Sequence, residues 1–539
     1  MRRVTIGGGQ VRPVAAHPVA IVVAVIGLAV VLPAGLAAAS GNLAIPHNDS
    51  WAYSLIAEHF ARTGAIRLVG ANRAFIVGQV VVLGPLGRSI VAQQVFVVIL
   101  AAAALALTFA LLRLALPARR AAFGTAVLAA FPGFGLLATS FMSDIPAYFA
   151  IVVTLLVGQI AIKRGSLVGL AVAVAIGVWG FTIREQSVAA VACVLISAFV
   201  AATDRAARAR VVALAAGALT AVLLLEAWRL SLPNGDAPGV ALVVGQGTHN
   251  SIRAFFEVGL LVFPAAVATI RPSAWSTAAR WAAAFAALSG GALLARYHGL
   301  LLGNYLDPSG AYSGLLGTRV VLPSVVWHAL QLVSWIGGVL LAGALVDGMR
   351  RLGPVLGLFG LLTALGIVLE ALTGAIYDRY LLPLVPVALV AVLCGSNTSA
   401  VGRWRVVAAG ISLAALCAVT LVITANGFAF DSARWDAAES LVHRGVNSQT
   451  IDTGLEWVGY HSRVPEVAVA PSKQRAALPG YAQSLFPRAP ECYVMSTSPD
   501  SGLGRVVEVF HYRTYLVVGR SRLLLYDTGR CRGAGFSRF

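Results

Sequence analysis

The 539-residue sequence predicts a mainly α, polytopic membrane protein of about thirteen transmembrane helices, with a small α/β domain at its C-terminal end. Three observations predict it. The composition is 58% hydrophobic and 12% charged, with a mean hydropathy of +0.83, which leaves too little polar surface to cover a soluble core of this size. Apolar segments of about bilayer-crossing length recur from residue 18 to residue 424. Beyond 424 the chain changes to short β-prone runs separated by Gly, Pro and Ser. The formal net charge of +18 does not point to nucleic acid, because the basic residues sit in short clusters between apolar runs and not on one face or tail.

The apolar segments are 18–39, 90–115, 121–139, 145–162, 166–183, 187–203, 211–230, 253–270, 280–296, 323–346, 354–374, 381–394 and 406–424. The first follows a basic leader, Met1 to His17, and is long enough to stay as an uncleaved span. Threading the segments alternately puts Arg2, Arg3, Arg12, Arg119, Arg120, Lys163, Arg164, Arg205, Arg208, Arg210, Arg271, Arg350, Arg351, Arg403 and Arg405 on one face. The positive-inside rule makes that face cytoplasmic. A missed or invented span would have flipped every later cluster. The expectation is therefore a multi-pass protein of the inner (plasma) membrane with a cytoplasmic N-terminus, a membrane domain over 1–424 and an extracytoplasmic domain over 425–539. In an oxidising compartment Cys492 and Cys531, the two cysteines of the polar tail, are a candidate disulfide.

The first outer loop, 40–89, carries Leu55, Ile56, His59, Phe60 and Ile66 at helical spacing, which predicts an interfacial helix over Ser50 to Arg62 ended by Gly64. The apolar piece Ala74 to Leu86 is broken by Gly78, Gly84 and Pro85 and is too short to span. The other outer-face loops are 140–144, 184–186 and 375–380, with longer connections at 231–252 and 297–322. Arg296, at the end of the preceding segment, and Tyr297, His298, Tyr312 and Arg319 in the last of these are residues that a sugar or acceptor site would use, but they also read as an ordinary interfacial belt, and no role is assigned to them. In the tail, Ser432 to Arg444 has helical spacing, with acidic residues early and His443 and Arg444 late. Glu466 to Ala470, Val506 to Phe510, Tyr515 to Val518 and Arg522 to Tyr526 read as strands, and Asp452 with Gly454 as a turn.

Charges at span ends are the functional candidates, because ionisable groups are costly there. Asp49 lies in Pro46-His47-Asn48-Asp49-Ser50-Trp51, where the chain first reaches the outer face. Asp144, in Ser143-Asp144-Ile145-Pro146, follows the third segment; Arg184-Glu185-Gln186 follows the fifth; Tyr377-Asp378-Arg379-Tyr380 precedes the twelfth. Each has a plainer reading. Asp49 and Asp144 suit helix N-caps, the Arg184 triplet suits a snorkelling hairpin turn, and Arg379 suits a pair with Asp378 or Asp144. What favours chemistry is convergence, since spans far apart in sequence deposit carboxylates and guanidinium groups on one face. Guanidinium forks match phosphate oxygens, and carboxylates accept protons or hold metals.

In the order and common sidedness of these four motifs the chain resembles the GT-C superfamily of membrane glycosyltransferases, which includes protein O-mannosyltransferases and aminoarabinose transferases that use polyprenyl-phosphate sugars. The likeness covers the membrane region to about residue 395. It implies inverting transfer of one sugar from a polyprenyl-phosphate donor to an envelope glycan, lipid or protein acceptor at the outer face. By the same likeness Asp49 is the general base, Asp144 orients the acceptor or shares a metal, and Arg184 and Arg379 bind the donor phosphate. His47, Glu185 and Tyr380 are further substrate-binding candidates. Many members carry two adjacent acids in the first loop, whereas Asn48 precedes Asp49 here. That departure argues against a loop-centred divalent metal, even with His47 as a ligand, and the expected reaction requires no cofactor.

Two other functions fit the same charges. A transporter or flippase of lipid-linked sugars would also gather them around a phosphate, but should bury ionisable groups at mid-membrane and show related halves. Glu226 and Glu370 are the main acids inside segments, Arg229 follows Glu226 by about a turn, and no half-to-half similarity is visible. An oligosaccharide ligase or polymerase would keep the enzyme class and change the donor. The Ala-, Val-, Gly- and Arg-rich, Lys-poor composition hints at a high-GC bacterium, and so at cell-envelope glycan.

Overall fold

The computed structural model describes residues 16–69, 75–233, 244–297, 299–311, 320–373, 376–394, 402–462, 486, 490–515 and 520–531. Each of the thirteen predicted segments is helical, but among the described residues nine helices are long and apolar enough to cross a bilayer, so the count of thirteen full spans is not reached. The chain is a multi-pass membrane protein.

The first span joins α1 (Ala16–Ile26) to α2 (Leu32–Ala39) through a π-turn, Gly27–Val31. The loop after the first span then folds as α3 (Ser50–Thr63) and α4 (Val77–Leu83). Gly64 closes α3 at φ +71°, the left-handed conformation that a glycine adopts without a Cβ penalty. Next come α5 (Ile90–Arg113), α6 (Ala118–Ala129), α7 (Phe134–Ala138) and α8 (Asp144–Arg164). The third predicted span is thus divided into α6 and α7 at Phe131-Pro132-Gly133, because proline cannot continue the helical ladder. The fifth and sixth are the short helices α9 (Leu167–Phe181) and α10 (Val188–Ala201).

The second half holds α11 (Arg205–Ser231), α12 (Val244–Thr269), α13 (Thr277–Tyr297), α14 (Ser324–Gly348), α15 (Gly353–Ala371) and α16 (Val385–Cys394). A 3-10 turn, Asp378–Leu384, leads into α16, so the twelfth predicted span is also short of a full helix. Helices α12 and α14 cross where Gly259 meets Gly337 and Gly338, and a Cβ on Gly259 would collide with the Gly338 backbone. Small residues that let helix backbones touch are a usual means of packing inside lipid.

The last predicted span and the predicted helix 432–444 are one continuous helix, α17 (Arg403–His443). It carries β1 (Ile451–Asp452), α18 (Leu455–His461), β2 (Tyr493–Ser496), β3 (Arg505–Arg513) and β4 (Arg520–Asp527). The sheet order is β1-β2-β4-β3, with β1 parallel to β2 and the other pairs antiparallel. The strands predicted around 506–510 and 522–526 are present and longer, β1 and β2 were not predicted, and the strand predicted at 466–470 lies outside the described residues, as do 516–518 of the other. Cys492, just before β2, and Cys531, just after β4, form a disulfide. The C-terminal unit docks on the loop that carries α3: the Trp51 indole lies against Gly459 and edge-on to Phe486, 5.5 Å between ring centroids, and the Tyr460 hydroxyl donates to Glu58 at 2.7 Å.

Candidate functional site

Asp49 is the residue before α3, entered through Asn48 at φ +53°. Its carboxylate does not cap the helix. It accepts a hydrogen bond from Arg379 Nη2 at 3.0 Å and stays 40% exposed, so the bland capping account does not describe it. Asp144 opens α8, where the positive end of the helix favours a carboxylate. Its side chain is almost wholly buried, pairs with Arg184 Nη1, and lies 3.9 Å from Arg379 Nε. Arg184 stands on extended backbone between α9 and the 3-10 turn Glu185–Ser187, and its guanidinium covers the Tyr380 ring at 4.2 Å. The Arg379 guanidinium lies 5.3 Å from the Tyr377 ring and 5.5 Å from that of Tyr380. Residues 49, 144, 184 and 379 therefore meet in one cluster.

Electrostatics keep both arginines charged. Burial opposes the charge on Arg379, but Asp144, Tyr380 and Asp49 outweigh it; at Arg184 burial is likewise outweighed by Asp144 and Tyr380. Both guanidinium groups end above their ordinary range. Within the cluster, Arg379 Nε and Nη1 and Asp144 Oδ2 are buried without a hydrogen-bond partner among the described residues. Unsatisfied buried donors on a cation are costly, and they are what an incoming anion would use. Asp144, Tyr148, Arg184, Gln186 and Arg379 line a small crevice here, closed on one side by Leu382 and Pro383.

Asp378 does not pair with the Arg379 guanidinium. It is buried and accepts the backbone N–H groups of Tyr305, Leu306 and Arg379 at 2.8, 2.7 and 2.6 Å. This draws the connection after α13 into the bundle, with Tyr305 and Leu306 fully buried, so part of the segment read as an interfacial belt is a wall beside the site. Two other candidates are placed differently from expectation. His47 is buried, with Nδ1 2.7 Å from Asp431 Oδ2 and Nε2 3.1 Å from the Asn42 carbonyl oxygen; Asp431 in turn pairs with Arg434, which reaches Glu456 at 3.0 Å. Short partners on both ring nitrogens hold it in the wall between loop and C-terminal unit. Glu185 is pushed above the ordinary carboxyl range by burial, and its surrounding charges are Arg184, Arg229 and Glu226. Its neighbour Gln186 faces the crevice and donates to Glu370 at 3.0 Å. Among the described residues no three His, Cys, Asp or Glu side chains gather to hold a metal ion.

Sequence reading missed Tyr53. It is 3% exposed and lies in the field of Asp49, Arg379, Arg184 and Asp144; burial and the Asp49 charge push its hydroxyl above the usual range, so it stays protonated. The available signal was its spacing, four residues after Asp49 and hence on the same helix face.

No family model matches the chain, and no curated protein does. Among solved structures it is similar to ArnT from Cupriavidus metallidurans bound to undecaprenyl phosphate, at 13% identity over 94% of this chain and 97% of that one, with a TM-score of 0.42. It is similar to the same protein in the apo state at 14% identity, over 95% and 98%, TM-score 0.43. The third likeness is to the Archaeoglobus fulgidus oligosaccharyltransferase in the apo form, at 12% identity over 88% and 69%, TM-score 0.39. Likenesses this distant carry no weight for activity. The functional reading rests on the chain's own side chains.

Proposed function

We propose that the chain is a GT-C type membrane glycosyltransferase that moves one sugar from a polyprenyl-phosphate donor to an envelope glycan, lipid or protein acceptor at the extracytoplasmic face. The observation that carries this reading is the joining of Asp49, Asp144, Arg184 and Arg379 from four distant segments, with two buried Arg379 donors left open. The disulfide between Cys492 and Cys531 supports an oxidising side for the C-terminal unit.

In this reading the donor phosphate occupies the open donors of Arg379 and displaces Asp49 from Nη2. Asp49, freed and part-exposed, takes the proton of the acceptor hydroxyl as its oxygen attacks the anomeric carbon. The bond from that carbon to the phosphate oxygen breaks, and the leaving polyprenyl phosphate keeps the electron pair. A single displacement inverts the anomeric centre. Arg379 and Arg184 stabilise the charge that grows on the departing phosphate. Asp144 holds both guanidinium groups in register, and the step calls on no metal.

The test is a deletion strain analysed by mass spectrometry. The expected result is loss of one envelope sugar with accumulation of one polyprenyl-phosphate sugar, restored by the wild-type chain and not by Asp49→Asn. Unchanged glycans and lipid-linked sugars would reject the reading. Restoration of the sugar by Asp49→Asn would reject the base.

A further inference from the structure

The membrane-proximal end of the β3–β4 hairpin has a surface that the catalytic reading does not use. Strand β3 lies along α17 and runs back toward the membrane. Its upper part is tied to the far end of the helix by Arg444 and Glu508, 2.6 Å apart. Lower down, Tyr512 packs on Phe430 with ring centroids 5.8 Å apart. At the bottom Asn426 grips the Tyr515 backbone twice, donating to its carbonyl oxygen and accepting from its N–H, both at 2.9 Å. The helical steps from 426 to 444 and the strand steps from 508 to 515 cover about 27 and about 23 Å at ordinary rises, so the two contacts measure the same descent.

Asn426 lies just past the apolar run 406–424. At this level α2 also ends, with Asn42 donating to the Phe428 carbonyl at 3.0 Å and Ser432 to that of Ser40 at 2.7 Å, while Leu36 below is 40% exposed. Polar belts of this kind mark where hydrocarbon gives way to headgroups. Tyr515, half exposed at 49%, is held at that level. Arg513, two residues before it, and Arg522, opposite His511 on the neighbouring strand, are exposed, and neither meets an acidic side chain among the described residues, whereas Arg434, Arg444 and Arg530 all do. An exposed tyrosine at the end of a span, with unpaired arginines on the strands just above it, is the composition that suits a headgroup layer carrying anionic phosphates.

We propose that this end of the hairpin rests on the lipid surface, with Tyr515 in the interface and Arg513 and Arg522 against anionic headgroups, so that the C-terminal unit is braced on the bilayer as well as on α3. The inference is independent of the catalytic reading. The test uses the full chain in nanodiscs containing phosphatidylglycerol, with Cys193, Cys394 and Cys417 replaced by Ala and a nitroxide placed at Tyr515→Cys, at Arg513→Cys or, as the distal control, at Val506→Cys. Because Asn426 binds only the backbone of Tyr515, the label leaves the clamp intact. The expected result is that spins at 515 and 513 collide more with oxygen than with a water-soluble nickel complex, and the spin at 506 the reverse. Water-like collision ratios at all three positions would overturn the proposal, as would ratios at 515 that report shielding from both reagents, the mark of a protein partner.

Discussion

Replacing Arg379 by Ala should separate its role in donor binding from its role in the fold. The guanidinium holds Asp49 at 3.0 Å and lies 3.9 Å from Asp144, while two of its nitrogens are free for a phosphate. A hydrogen bond to a charged group contributes about 1.5–3 kcal/mol, so losing even one to the phosphate weakens donor affinity roughly ten- to a hundredfold. Two carboxylates left facing the phosphate add repulsion in the same direction. The folding cost should fall below the ~3–5 kcal/mol usual for breaking a buried pair, because Asp144 keeps Arg184 and Asp49 is reached by water. Arg379→Lys keeps the charge but lacks the fork, so its affinity should lie between those of the wild type and the alanine variant. The assay is equilibrium binding of radiolabelled polyprenyl phosphate to purified protein, beside thermal unfolding. A folded Arg379→Ala protein with wild-type affinity would refute the assignment.

Two further outcomes are expected. His47→Ala should lower the midpoint of thermal unfolding by removing a buried contact worth about 1–3 kcal/mol, and leave polyprenyl phosphate affinity unchanged, since His47 touches neither arginine of the site; a loss of affinity at full stability would return it to the site. In the C-terminal sheet, burial pushes Asp452 up to about 6 and Glu491 up to about 7, with Glu456 and Asp452, respectively, adding to the rise. A raised carboxyl binds its proton more tightly when folded, so this stability is fully present below the ordinary carboxyl range and is lost as pH rises through about 7. Hydrogen-exchange protection of β2, corrected for intrinsic rates, should therefore increase from pH 8 to pH 5, and less so in Glu491→Gln; protection that falls on acidification would contradict it.

Much of the candidate charge cluster was legible because charge is conspicuous in an apolar sequence. Asp49, Asp144, Arg184 and Arg379 stood out as interruptions of long hydrophobic runs, and lipid tolerates such interruptions only where partners exist. His47 is held instead by Asp431, a buried partner 384 positions away that leaves no local trace in the sequence. The helical segments were readable from hydropathy, but their lengths were not: Pro132 and Pro383 shorten two of them by backbone chemistry that an average over a window hides. Helix α17 shows the opposite error. The apolar run stops at 424, before the polar residues Asn426, Asp431 and Ser432, yet each of these is satisfied by another segment, through Tyr515, His47 and Ser40, so the helix continues. Strands β1 and β2 are two and four residues long, and their pairing is set by partners far along the chain.

The most direct measurement is single-turnover sugar transfer by reconstituted Asp49→Asn, with the polyprenyl-phosphate sugar that accumulates in the deletion strain as donor. Asparagine keeps an oxygen to accept from Arg379 and removes the proton acceptor. The expected result is donor binding close to wild type with transfer slower by about 100- to 10,000-fold, the usual worth of a general base. Transfer at the wild-type rate would contradict the account.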